Sequence, residues 1–170
     1  MKMQWLRVSL IAQVILALYF QIVQWVPLGR WNFQPGFEPL AAQAFHGHID
    51  IQDLALVGCF LLPALIFRFA WRKGLTWIMW MALLGYLGWL AMEMQTWWVS
   101  YIFGASDAWM SIYQRVFSQS IKILPSFGRH LAPDGMHLVL QMLLAIVTVS
   151  TLLGLLNRRR SSIQALQSKQ

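Results

Sequence analysis

Histidine and carboxylate side chains occur in two short segments of this chain, 46–50 and 130–137. Imidazole and carboxylate groups are the ligands that zinc and similar divalent metals prefer, and they also serve as general acids and bases. The spacing matches no strong zinc motif, and HExxH is absent. Interface histidines beside capping aspartates are the competing interpretation. The candidate metal ligands are His46, His48, Asp50 and Asp134, and the candidate catalytic histidines are His130 and His137.

Glu93 is a lone carboxylate near the outer end of a long apolar segment. An ionisable group at that depth is costly and marks a candidate functional site, so Glu93 is a third candidate catalytic residue. A carboxylate that reaches the headgroup region is an equally good explanation. Ala82, Gly85 and Trp89 share a face with Glu93, and small residues on such a face permit close helix packing.

The elements that carry these residues are predicted from charge and hydropathy. The chain is 58% hydrophobic and 11% charged, against about 25% charged in soluble domains. Most of its 13 basic residues lie in the N-terminal, 68–73 and C-terminal segments, which contain no acid. Because Lys and Arg are retained on the cytoplasmic side, this pattern predicts a multi-pass membrane protein with both termini in the cytoplasm. Short juxtamembrane clusters indicate membrane lipids as partners and no nucleic acid.

The predicted fold is all-α, a single domain over residues 1–170 that forms a four-helix transmembrane bundle. A span needs roughly 20 apolar residues, and segments 6–27, 51–71, 75–98 and 136–156 qualify. The amphipathic spacing of 107–124 predicts an interfacial helix on the outer side, and 157–170 is a polar cytoplasmic tail. Asp134 is well placed to cap the last span.

The outer half is tryptophan-rich and could bind a ligand. Glutamines on the first span could line a cavity or simply bond across helices, and the second interpretation is favoured. The candidate ligand-binding residues are Gln21, Gln24, Trp89, Trp97, Trp98 and Tyr101.

Several chemistries are disfavoured by the sequence. A single cysteine, Cys59, rules out an intramolecular disulfide relay. Haem is disfavoured because no histidine lies deep within a span. No phosphate-binding loop or nucleophile elbow is present. Any cofactor is therefore unknown, with a divalent metal as the one candidate.

The run EMQTWWVSYIFG at 93–104 resembles a segment of small, uncharacterised bacterial four-span membrane proteins. The stretches 113–117, 121–125 and 133–137 are similar to the same group. Those relatives often have Pro where Ser100 stands, so the turn there can differ. The resemblance implies a bacterial inner-membrane protein of this topology, and it implies no activity.

Two functions follow as hypotheses, and whether the chain is an enzyme stays open. In the first, the protein binds a lipid-like ligand or a partner subunit, including a second copy of itself, through its aromatic outward-facing half. In the second, it is a membrane-embedded, metal-assisted enzyme that acts on an amphiphilic substrate at the outer leaflet. A secondary transporter is disfavoured, because four spans without an inverted repeat do not enclose a path.

Overall fold

The computed structural model describes residues 4–32 and 51–167, and these are mainly helical with no β-strand among them. A single 3₁₀ turn, Gly29–Trp31, follows the first helix. The helices of the described residues are α1 (Gln4–Trp25), α2 (Ile51–Lys73), α3 (Thr76–Phe103), α4 (Asp107–Val116) and α5 (Gly135–Gln167).

Among the described residues, three helices are long and apolar enough to cross a membrane. They are α1, α3 and the Gly135–Arg160 part of α5. By length and composition they identify a membrane protein, which confirms the predicted all-α membrane class. The second predicted span, 51–71, forms a 23-residue helix, α2, with Pro63 inside it.

The basic ends of α1, α2 and α5 lie together at one end of the bundle. Leu6 near the start of α1 packs in one cluster with Phe67 of α2, Met79 of α3 and Leu155 of α5. We call this the basic end, because the arginines of α1, α2 and α5 lie beside it. At the opposite end, the Tyr19 hydroxyl donates to the Met136 carbonyl at 2.8 Å, so α1 and α5 run antiparallel.

A buried polar network joins the helices in the middle of the bundle. The Ser9 and Thr151 hydroxyls lie 2.6 Å apart, and Gln13 Nε2 donates to Ser9 Oγ at 3.1 Å. Tyr86 of α3 extends the network by donating to Gln13 Oε1 at 3.3 Å. Below it, a β-carbon on Gly154 would lie 2.5 Å from Leu6 Cδ2, so glycine lets α1 and α5 approach closely.

The end of the bundle opposite the basic end differs from the predicted elements in two places. Residues Gln95–Val99 of α3 form a π-helical segment, a wider turn that is frequent at functional sites. The helix predicted over 107–124 ends at Val116. The chain then turns back, since Ser120 Oγ donates to the Phe117 carbonyl at 2.7 Å and Ile121 N to the Arg30 carbonyl at 3.0 Å. These contacts replace the helical bonds that further amphipathic turns would have made.

Candidate functional site

Asp134 organises the start of α5. Its carboxylate accepts from the backbone N–H of His137 and from His137 Nδ1, both at 2.8 Å. The first bond is the helix cap that the sequence predicts, and the structure confirms it. A carboxylate only accepts, so Nδ1 is the donor in this bond, and the tautomer with its proton on Nδ1 leaves Nε2 as an acceptor. Asp134 is buried and the His137 side chain is 17% exposed, so the bonds of this Asp134–His137 dyad are partly buried.

Glu93 turns inward, while its neighbours Met92 and Met94 are exposed on the helix surface. Gln141, one turn beyond His137 on α5, accepts a short 2.7 Å bond from Trp98 Nε1. This bond fixes the amide so that its nitrogen points at Glu93 Oε2, 3.5 Å away. The carboxylate is therefore held against α5 by a long contact.

The Trp97 side chain is enclosed by other aromatic rings and is 2% exposed. Its ring centroid lies 4.5 Å from that of His137 and 5.1 Å from that of Phe117. Trp109 and Tyr113 pack edge-on against it. Trp97 therefore joins α3, α4 and α5 and holds the His137 ring in place.

Tyr113 closes this aromatic cluster from α4. Its hydroxyl donates to the Ala132 carbonyl at 2.8 Å, and burial raises the pKa of Tyr113 above its ordinary value. The phenol therefore stays protonated and keeps this bond. Within the described residues the buried Trp109 indole N–H has no acceptor.

The remaining predicted site residues lie in separate places. His130 Nδ1 donates to the Tyr101 carbonyl at 2.8 Å, and its ring stacks on Phe127. Gln21 accepts from Trp25 Nε1 at 3.2 Å. Gln24 lines a cavity of about 160 Å³, and His137 forms part of the same wall.

The predicted metal ligands are divided between described and undescribed parts of the chain. His46, His48 and Asp50 lie outside the described residues. Asp134 is described and bonds His137. Among the side chains that the structure describes in 4–32 and 61–160, no group of three from His, Cys, Asp or Glu could hold a metal ion. The metal site remains a prediction.

An apolar groove of about 290 Å³ lies between α1, α2 and α3 in the middle of the bundle. Its α3 wall includes Trp89 from the predicted ligand-binding set, and Ala82 and Gly85 from the predicted small-residue face. The sequence does not predict Tyr86 and Pro63 as ligand-binding residues, because hydropathy alone does not show which residues border a gap between helices. The lining residues are Gln13, Leu16, Ala17, Pro63, Ala82, Gly85, Tyr86 and Trp89.

No family model, curated protein or solved structure matches this chain.

Replacing Asp134 with Ala removes the cap of α5 and leaves His137 Nδ1 without its acceptor. We expect a loss of about 2 kcal/mol in the free energy of unfolding, measured by SDS titration in mixed micelles. Asp134→Asn keeps an acceptor oxygen and should lose less. Asp107→Ala is the matched control, because its ion pair with Arg129 is exposed and worth at most about 1 kcal/mol. Equal unfolding free energies for the two alanine variants would contradict this role of Asp134.

Proposed function

We propose that the chain is a four-span bacterial inner-membrane protein with both termini in the cytoplasm. The proposed topology is supported by the position of the basic residues, which lie at one end of the bundle. Arg72 and Lys73 at the end of α2, Arg7 of α1 and Arg158 of α5 belong to the same end of the bundle, where Arg158 Nη1 lies 3.8 Å from Met79 Sδ. The positive-inside rule assigns such an end to the cytoplasm.

Alkaline phosphatase fusions test this topology. We expect a fusion after Gly128 to be active, since the enzyme folds only outside the cytoplasm, and fusions after Lys73 and after Gln170 to be inactive at equal expression. An active fusion at Gln170 would reverse the assignment of the termini.

The function that this geometry supports best is the binding of a lipid-like amphiphile, with an alkyl chain in the groove between α1, α2 and α3. The groove itself is the observation that carries the proposal. Its polar groups, the Gln13 amide and the Tyr86 hydroxyl, already bond each other. The surface left to a ligand is therefore mainly apolar, which suits a hydrocarbon chain.

The size of the groove favours a chain over a partner helix. An α-helix with its side chains is about 10 Å across, which is too wide for a space of about 290 Å³. The small residues Ala17, Ala82 and Gly85 leave this space open. A β-carbon on Gly85 would meet no atom within 4 Å. Trp89 and Tyr86 supply aromatic walls in the outer part of α3.

Filling the groove tests the proposal. We expect a fatty acid that carries a photoactivatable diazirine to cross-link to the peptides containing Gln13 and Trp89 in the purified protein. Gly85→Leu should reduce this labelling several-fold, because the new side chain occupies the groove. The measurement is peptide mapping by mass spectrometry.

Gly88→Leu is the matched control, since Gly88 also has open space around it but does not line the groove. It should label like the native chain. Labelling that is spread evenly over lipid-facing positions such as Met81 and Leu84, or that survives Gly85→Leu, would refute binding in the groove.

A membrane-embedded enzyme is the second candidate, and the Asp134–His137 dyad favours it. A carboxylate that orients an imidazole is the arrangement of a general base. His137 forms part of the wall of the outer cavity of about 160 Å³, together with Tyr19, Phe20 and Gln24. In this reading Nε2 of His137 takes a proton from an amphiphilic substrate, and Glu93 acts as a second acid or base on the same side of α5.

Lipid extracts of cells that overexpress the chain test the enzymatic hypothesis. His137→Asn keeps a donor near Nδ1 for Asp134 but removes the base, so we expect a lipid change produced by the native chain to disappear. Glu93→Gln should have the same effect. His130→Asn is the control, because its ring bonds only Tyr101 and stacks on Phe127 among the described contacts. Identical mass spectra for the native chain and His137→Asn would exclude this chemistry.

A further inference from the structure

A second cavity, of about 450 Å³, opens at the basic end between α1 and α2. Its described lining consists of Arg7 and Leu10 of α1 with Arg68, Trp71 and Arg72 of α2. Arg68 and Arg72 are one helical turn apart, so their side chains share one face. Three arginines from two helices therefore line one space.

The described residues supply no counter-ion to this cavity. The ion pairs among them are Arg129 with Asp107 and Asp134 with His137, both at the opposite end of the bundle. Asp53, the acid nearest to Arg68 along α2, lies about 22 Å away by helical rise. The three arginines are themselves exposed, so water and salt screen their mutual repulsion, and a bound anion would lower it further.

We propose that this cavity binds the phosphate group of an anionic ligand, either a lipid headgroup or free phosphate. Guanidinium groups bind phosphate oxygens through paired N–H donors. Trp71 and Leu10 add an apolar wall beside them, as a basic pocket for an anionic lipid at this membrane face would need. The site does not depend on the groove described above, which is lined by other residues.

If these arginines served only to set the membrane topology, they would not need to line one cavity. The positive-inside effect counts charges near the span ends and treats Lys and Arg alike. A phosphate site instead requires arginines on the cavity wall, because lysine lacks the planar fork. Lys73 and Arg159 are exposed cations at the same end that do not line the cavity, so they provide a control of equal charge.

The test is native mass spectrometry of the full chain in detergent with phosphatidylglycerol or phosphatidylcholine. We expect the native protein to retain phosphatidylglycerol preferentially. Arg68→Gln with Arg72→Gln should raise its apparent dissociation constant about tenfold or more. The Lys pair, Arg68→Lys with Arg72→Lys, should bind at an intermediate level although its charge is unchanged. Lys73→Gln with Arg159→Gln should bind like the native chain.

Competition with inorganic phosphate separates the two sources. Lipid adducts that persist in excess phosphate assign the site to a headgroup, and adducts that phosphate displaces assign it to free phosphate; either result supports the cavity. The proposal is overturned if the two glutamine pairs lose binding equally, or if phosphatidylcholine binds as well as phosphatidylglycerol. Cross-linking in the groove is unaffected by these outcomes, because its variants leave the arginines in place.

Discussion

Close packing between α1 and α5 is the constraint on which the rest of this structure depends. In a bilayer the lipid tails are as apolar as leucine, so helices associate through tight contacts and interhelical hydrogen bonds. Leu6 against Gly154 provides the close contact, and the bond between Ser9 and Thr151 provides the polar one. Among the described residues, this pair of helices has the most extensive contact. Around this pair, α2 packs on α1, and α3 packs mainly on α5 and also on α2.

Much of the fold could be predicted because a bilayer restricts both length and charge. The positions of α1, α3 and α5 follow from runs of about 20 apolar residues, and the basic clusters predict which helix ends lie together. The end of α4 could not be predicted, because the amphipathic pattern continues past Val116. After the helix ends, Ile121 pairs with Arg30, a contact between residues far apart in sequence that local spacing does not show. The π-helical segment at 95–99 has no sequence signal either.

The sequence predicts several residues of the candidate site, but it does not predict most of the contacts between them. Spacing alone placed Asp134 as the cap of α5, because a cap acts within one turn. The bond between His137 and the same carboxylate depends on the side-chain rotamer, and the contact of Gln141 with Trp98 depends on how α3 and α5 pack. Trp97 and Trp98 are the same residue type at adjacent positions. Even so, one fills the aromatic cluster and the other bonds an amide, a difference that only the three-dimensional packing determines.

The apolar groove and the cavity at the basic end are both lined by residues of α1, and the two sites follow one another along this helix. Arg7 and Leu10 line the cavity, and Gln13, Leu16 and Ala17 line the groove. At 1.5 Å of rise per residue, Arg7 and Gln13 are about 9 Å apart along the axis. A ligand with a phosphate held by the arginines would therefore direct its alkyl chain toward the apolar gap beside Pro63 and Ala17. Charge at one end of α1 and small apolar residues at its middle match the two parts of an amphiphile, so both proposed sites fit the same class of ligand.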